Sequence, residues 1–288
     1  MAKILDGLAL ASRVRQDLAQ KIQKTKAETG LVPGLAYLLV NDDPVSQRYV
    51  ANKTKACQEV GMLSFVEPFS RSVKEAELLQ QIQRLNKRAD IHGILVQLPL
   101  PPSLNVHRIL ESIDVKKDVD GFHPYNRGLL FSAHTAIVPC TPKGIVRLLK
   151  ENGVVLEGKH AVIIGRSLVV GRPLSMLLLN ENATVTICHS QTPDLKRFTR
   201  DADILVAAVG SPRFVKKDFV SPGVTVVDVG ISFEGSRLVG DVDFDEVSKV
   251  ASAITPVPGG VGPMTVAMLL SNTFDAFQSQ LKAPVSVS

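Results

Sequence analysis

The sequence predicts an α/β chain folded as two α/β domains with a cleft between them. Three observations carry that prediction. Short β-branched apolar runs alternate with stretches of helical periodicity along the chain, the pattern of strands joined by crossover helices. At 288 residues the chain is longer than one ordinary domain and suits two. Finally, His160–Ser190 compresses strand, glycine turn, helix and strand into about thirty residues, the plan of a dinucleotide-binding βαβ unit, so the second domain reads as a Rossmann-like parallel sheet.

The first domain builds up in helix-and-strand pairs. Leu10, Val14, Leu18 and Ile22 recur at helical spacing between Leu8 and Thr29, Gly30 suits the end of that helix, and Leu35–Val40 reads as a strand. Pro44–Val60 reads as a helix stopped by Gly61, with a strand over Met62–Val66. A helix over Val73–Arg88, a strand over Gly93–Gln97 and a helix over Val106–Ile113 follow. Thr141-Pro142 has the form of a helix start and Gly153 that of its end, so this helix is expected to connect the domains. Beyond the βαβ unit, Ile204–Val209 and Val224–Val229 extend the sheet, and the last helix runs from Pro263 to about Leu281. The expected domains are residues 1–138, joined by the returning helix at 264–288, and residues 139–263.

Within the first domain, Ser46, Tyr49 and Lys53 lie at i, i+3 and i+7 and are expected to share a helix face, while Val50, Cys57 and Val60 supply packing. A lysine one turn from a tyrosine can move protons once burial disfavours its ammonium form. On spacing alone, a solvated lysine-rich face with a half-buried tyrosine is the simpler reading. Tyr49-x-x-x-Lys53 with an upstream serine also imitates the short-chain dehydrogenases, but in those the glycine turn precedes the pair and here it follows. Gln97 stands at the carboxyl end of a strand, where ligands of open α/β sheets sit; its amide could donate to a substrate, hold a lysine, or cap the strand. KDVDGFH, residues 117–123, offers two acids and a histidine. Asp-Gly is foremost a turn signal, and the spacing matches no metal-ligand pattern, so no metal is expected. A carboxylate there could instead pair with a heterocycle presenting adjacent donors.

In the βαβ unit Gly165 opens the turn and the next glycine is Gly171, a departure from G-x-G-x-x-G. An NAD-preferring site places an acid at the end of the second strand. Here His189 and Ser190 stand there, and Arg166 with Ser190 could grip a 2′-phosphate, which points to NADP. An ordinary crossover with a solvated arginine is the alternative. Val257–Gly262, VPGGVG, would let backbone approach a ligand at the start of the last helix, or serve only as a loop.

Composition bounds the partners. With 45% hydrophobic and 21% charged residues the chain is an ordinary globular mix. No apolar run reaches the roughly 18 residues of a membrane span, and the opening residues lack a signal peptide's apolar stretch, so a cytoplasmic protein is expected. Three scattered cysteines, Cys57, Cys140 and Cys188, give neither a disulfide framework nor a zinc knuckle, and read as buried thiols. The net charge of +5 is spread along the chain, and three tyrosines with no tryptophan leave little to stack bases, so no nucleic acid is expected and an anionic small substrate explains the charge.

Several segments together carry a likeness. Ser46-Gln47-Arg48-Tyr49-Val50 with Lys53 and Lys55, then GILVQLPLP, KDVDGFHPYN, PCTPKG, GRSLVVGRP, ATVTICHS and TPVPGGVGPMT resemble the bifunctional methylenetetrahydrofolate dehydrogenase/methenyltetrahydrofolate cyclohydrolase family, in order and over nearly the whole chain. Asn41, Val45 and Leu168-Val169-Val170 depart from the family's usual residues. The resemblance implies a folate-binding catalytic domain, an NADP domain, and a homodimer through the latter. It implies oxidation of 5,10-methylenetetrahydrofolate, including polyglutamylated forms, and hydrolysis of the methenyl product to 10-formyltetrahydrofolate, supplying purine, methionine and histidine synthesis. Lys53 would be the general base and acid, its pKa depressed in a pocket shielded by Tyr49 and Gln97. Tyr49 would stack on the substrate, Gln97 orient the lysine and Asp120 pair with the pterin. Ser46, Leu98, Pro99, Pro258, Gly259 and Gly260 would line the substrate; Gly165, Arg166, Ser167, His189, Ser190 and Ile231 would line NADP. The competing expectations are another two-domain NADP enzyme of the shikimate dehydrogenase type and a non-catalytic folate- or nucleic-acid-binding protein.

Overall fold

The computed structural model describes residues 2–40, 44–134, 137–235 and 237–282, without the side chains of residues 44 and 45. Asn41 and the last residues of the expected terminal helix lie outside that set. Strand β1 (Lys3–Ile4) and helix α1 (Gly7–Thr29) lead to β2 (Gly34–Val40), α2 (Pro44–Val60), β3 (Leu63–Phe69), α3 (Glu75–Lys87), β4 (Gly93–Val96), α4 (Val106–Glu111) and α5 (Pro124–Phe131). Next come α6 (Cys140–Glu151), β5 (His160–Ile164), α7 (Gly171–Asn180), β6 (Thr184–Cys188), α8 (Leu195–Arg200), β7 (Ile204–Ala207) and β8 (Thr225–Asp228). The hairpin β9 (Ser232–Glu234) and β10 (Arg237–Val239), helix α9 (Phe244–Val247), β11 (Ala253–Ile254) and α10 (Val261–Lys282) complete the chain.

Two compact units divide these elements, Arg13–Val138 with Leu269–Ser288 and Met1–Ser12 with Pro139–Met268. The first holds a three-stranded parallel sheet of order β3-β2-β4. Central β2 is buried at all seven positions, as a parallel strand covered on both faces must be, which is why its sequence is a continuous apolar run. Helix α3 lays Leu78, Ile82 and Leu85 on the sheet at i, i+4 and i+7, and its charges suit the helix dipole, Glu75 and Glu77 in the first turn and Arg84 and Lys87 in the last. Fully burying each such side chain stabilises the unit by roughly 1.5–3 kcal/mol. Lys117, itself buried, caps the exit of α3 by donating to the carbonyls of Leu85, Asn86 and Arg88. The end of α10 closes this unit: Asn272 Nδ2 donates to the carbonyls of Val119 and Val138, and Gln280 Nε2 to those of His92 and Lys116.

The second unit is a six-stranded sheet of order β1-β11-β8-β7-β5-β6, parallel throughout. Strand order reverses at β5, with β6 on one side and β7 on the other, the switch point at which doubly wound sheets bind ligands. The opening residues belong here rather than with residues 13–138, because Lys3 and Ile4 pair in register with Ala253 and Ile254. A two-residue strand has no periodicity to read, so the expected boundary at residue 1 was misplaced. Helix α6, expected to connect the domains, lies wholly within this unit and buries Ile145, Leu148 and Leu149. Its N-cap is Pro139 rather than Thr141, whose hydroxyl instead meets that of Thr265 at 2.9 Å. Cys57, Cys140 and Cys188 are buried. Among the described residues no helix is long and apolar enough to cross a membrane.

One buried base ties the first sheet to α10. His92 Nδ1 accepts the Gly34 N–H at 3.0 Å, and its ring meets Phe277 edge-on with centroids 4.7 Å apart. Burial, reinforced by the Lys117 charge, pulls its pKa from 6.5 down to about 4. A folded value below the unfolded one means that the neutral ring's contribution to stability is complete above pH 6.5 and is lost as pH falls toward 4. The urea midpoint of the wild-type chain should therefore drop more steeply over that interval than that of His92→Asn, which keeps an acceptor for Gly34 but does not titrate. Equal slopes would contradict the assignment.

Candidate active site

On α2, Lys53 is half-buried and its Nζ donates to Gln97 Oε1 at 2.9 Å. Gln97 is one residue past β4, where its backbone N–H still pairs with the Leu38 carbonyl at 2.9 Å. Its Nε2 donates to the Leu98 carbonyl at 2.8 Å, so both ends of the amide are engaged and its oxygen is turned to the lysine. Tyr49, one turn before Lys53, is 38% exposed, whereas Ser46 is 4% exposed. At about 100° per residue the three lie within about 60° of one another on α2, with Ser46 at the buried edge of that strip and Tyr49 at its exposed edge. Beneath them the Tyr37 hydroxyl and Cys57 thiol are 3.2 Å apart, and burial pushes the thiol up to about 11, so it stays protonated.

The two acids of KDVDGFH separate by depth. Asp118 is 1% exposed; its Oδ1 accepts the Phe122 N–H, and its Oδ2 accepts the His123 N–H and Asn126 Nδ2. It builds the turn. Gly121 supplies that turn's left-handed backbone at φ +69°, and Asp120 is left half-buried beside it. Leu98 is half-buried and Pro99 exposed at the exit of β4.

In the second unit the glycine turn is set by close approach of backbone. A Cβ at Gly165 would lie 2.3 Å from the Ala208 carbonyl oxygen, and one at Gly171 would lie 2.0 Å from that of Gly165, so neither position admits a side chain. Gly165 N–H donates to the Cys188 carbonyl at 2.8 Å, which brings the exits of β5 and β6 side by side. Arg166, Ser167 and Ser190 are exposed on those exits. Ser167 Oγ also accepts the Val170 N–H at 3.1 Å and so caps the entry to α7. His189 forms a turn, its N–H donating to Thr192 Oγ1 and its Nδ1 accepting from Gln191. Ile231 is 44% exposed after β8. Pro258, Gly259 and Gly260 also belong to this unit, so the residues expected to line substrate are divided between the units. Gly260 is buried, and a Cβ on it would lie 2.6 Å from the Pro256 carbonyl oxygen; at this position packing already demands glycine.

Sequence reasoning missed two buried acids. Asp228, 3% exposed at the end of β8, accepts the N–H groups of Gly230 and Asp241 on Oδ1 and that of Val242 on Oδ2, while its own N–H donates to Thr255 Oγ1. Burial raises its pKa from 3.8 to about 6, against the pull of those three N–H groups. Asp241, fully buried, accepts from Val209 and Gly210 on Oδ2 and from Ser211 on Oδ1. The available signal was an Asp one or two places from Gly at strand ends, in VVDVG and VGDVD. A cavity of about 240 Å³ adjoins Asp228 and is lined by Arg213, Arg237 and Phe244, but by none of the expected site residues. Arg213 there is paired with Glu234 at 3.2 Å.

Residues 5–120 match the family model for the tetrahydrofolate dehydrogenase/cyclohydrolase catalytic domain, and residues 139–281 match that for its NAD(P)-binding domain. The bifunctional protein FolD of Streptococcus agalactiae is 51% identical over 277 residues, 96% of this chain and 98% of its own. The crystal structure of the bifunctional FolD methylenetetrahydrofolate dehydrogenase/cyclohydrolase from Campylobacter jejuni is similar at a TM-score of 0.95 and 49% identity, covering 97% of this chain and 100% of that one. Trypanosoma brucei FolD, solved in complex with NADP cofactor and an inhibitor, is similar at a TM-score of 0.95 and 39% identity, covering 98% of this chain and 99% of that one. The chain therefore belongs to the tetrahydrofolate dehydrogenase/cyclohydrolase family.

Proposed function

We propose that this chain oxidises 5,10-methylenetetrahydrofolate to the methenyl form with NADP and hydrolyses that product to 10-formyltetrahydrofolate. The observation that carries the reading is the Lys53–Gln97 pair at 2.9 Å, held on two rigid elements by an amide whose other end is engaged. NADP, when bound, accepts the hydride from the methylene carbon. Loss of hydride leaves a cation delocalised over the two flanking nitrogens, so the protein needs no base in that step; its work is orientation. Hydrolysis is different. Water adds to the methenyl carbon, Lys53 takes a proton from it, and the same group returns a proton to nitrogen as one carbon–nitrogen bond breaks. Gln97 holds the amine in place for both transfers. Tyr49 stacks along the substrate, Asp120 pairs with the pterin's donors, and Ser46, Leu98 and Pro99 line it within the same unit.

The cofactor segment fits a dinucleotide. Its glycines let the backbone of the turn pack tightly at the strand exits, and the exposed Arg166, Ser167 and Ser190 supply donors for a 2′-phosphate there. On the family's pattern we further read the chain as a cytoplasmic homodimer that works on polyglutamylated folates and serves purine, methionine and histidine synthesis.

Two measurements test these assignments. Lys53→Met should abolish hydrolysis of methenyltetrahydrofolate while retaining part of the dehydrogenase rate, so that the methenyl absorbance accumulates. Loss of both activities with NADP and folate still bound would overturn the division of labour. Arg166→Gln should raise KM for NADP by about 10- to 100-fold, the range of one lost hydrogen bond to a charged group, and leave the weaker activity with NAD unchanged. A parallel loss with both cofactors would show that Arg166 does not read the 2′-phosphate.

A further inference from the structure

We propose that Asp241 and Asp228 are positioning residues that hold Val209 and Ile231 as an apolar platform for the planar base of the cofactor. The inference rests on the NADP reading above and deepens it. Strands β7 and β8 are neighbours and end on the same side of the sheet. The segment after β7 abuts the glycine turn: Ala208 N–H donates to the Ile164 carbonyl at 2.9 Å, and the Ala208 carbonyl fills the space a Cβ on Gly165 would take. Immediately beyond it, Val209, Gly210 and Ser211 turn three consecutive N–H groups onto one fully buried carboxylate, Asp241, at 2.6, 2.9 and 2.8 Å.

Asp241 is itself fixed, because its N–H donates to Asp228 Oδ1 at 2.8 Å, and the same oxygen takes the N–H of Gly230 at 3.0 Å. Two carboxylates thus set the loops that leave adjacent strands. Each loop then presents an apolar side chain to solvent, Val209 at 37% and Ile231 at 44% exposure. Exposed aliphatic groups on backbone held this tightly, at the carboxyl ends of strands beside the switch point, match the requirement of a flat ring that must be stacked and oriented.

The test uses the full chain and the two activities as mutual references. Asp241→Asn preserves shape but removes one acceptor, and should raise Kd and KM for NADP by about tenfold or more. KM for methylenetetrahydrofolate and the cyclohydrolase rate on preformed methenyl substrate, which needs no cofactor, should stay within about twofold on the same scale. Val209→Ala, which leaves the carboxylate network whole, should weaken NADP binding severalfold with an unchanged urea midpoint, and it decides the matter if Asp241→Asn fails to fold. Wild-type NADP affinity in Val209→Ala, or a parallel fall of both activities in soluble Asp241→Asn, would overturn the proposal. Failure of the wild-type chain to bind NADP would instead overturn the cofactor reading on which it rests.

Discussion

Backbone N–H groups that leave a parallel strand have lost their ladder partner, and this molecule satisfies many of them with buried carboxylates. Asp228 and Asp241 each gather three backbone N–H groups on segments that follow strands, and Asp118 gathers two N–H groups and the Asn126 amide at the turn into α5. An orphaned buried donor costs about 1–3 kcal/mol, so each acid prevents a penalty comparable with a large share of a domain's net stability. A carboxylate is suited to the task because it only accepts, and because its two oxygens serve several donors at once.

That constraint also arranges the chemistry. Asp118 spends its oxygens on the turn that carries Asp120; Gln97 continues the ladder through its backbone and turns its side-chain oxygen to Lys53. In the other unit the same logic applies. Close glycine packing shapes the β5 exit, and polar side chains stand exposed on it. In each unit, buried polar atoms hold the frame while a neighbour one or two residues away stays partly exposed.

Much of this was legible in the sequence, and the limits were physical. The long helices and the buried strands carry enough periodicity or enough continuous apolar character to be read, and α1, β2, α2 and β4 fall within a residue of expectation. β1, β9, β10 and β11 are too short to show a period. Lys53, Gln97 and Asp120 were reached chiefly through resemblance to a family, since spacing on one helix does not reveal that a glutamine 44 residues on accepts from the lysine. Asp228 and Asp241 escaped because a strand-end acid looks the same in sequence whether it faces water or gathers amides. Spacing groups Ser46, Tyr49 and Lys53 on one strip of α2 but does not say how deep each sits, from 4% exposed at Ser46 to 38% at Tyr49.

The interleaving of the two units along the chain bears on how the protein is made. A nascent chain that has emerged through residue 138 still lacks Asn272 and Gln280, the side chains that satisfy the carbonyls of Val119, Val138, His92 and Lys116. The edge strand of the other sheet, by contrast, is made before the rest of that unit and waits for β11, about 250 residues later by its register. Vectorial synthesis therefore cannot finish one unit before beginning the next.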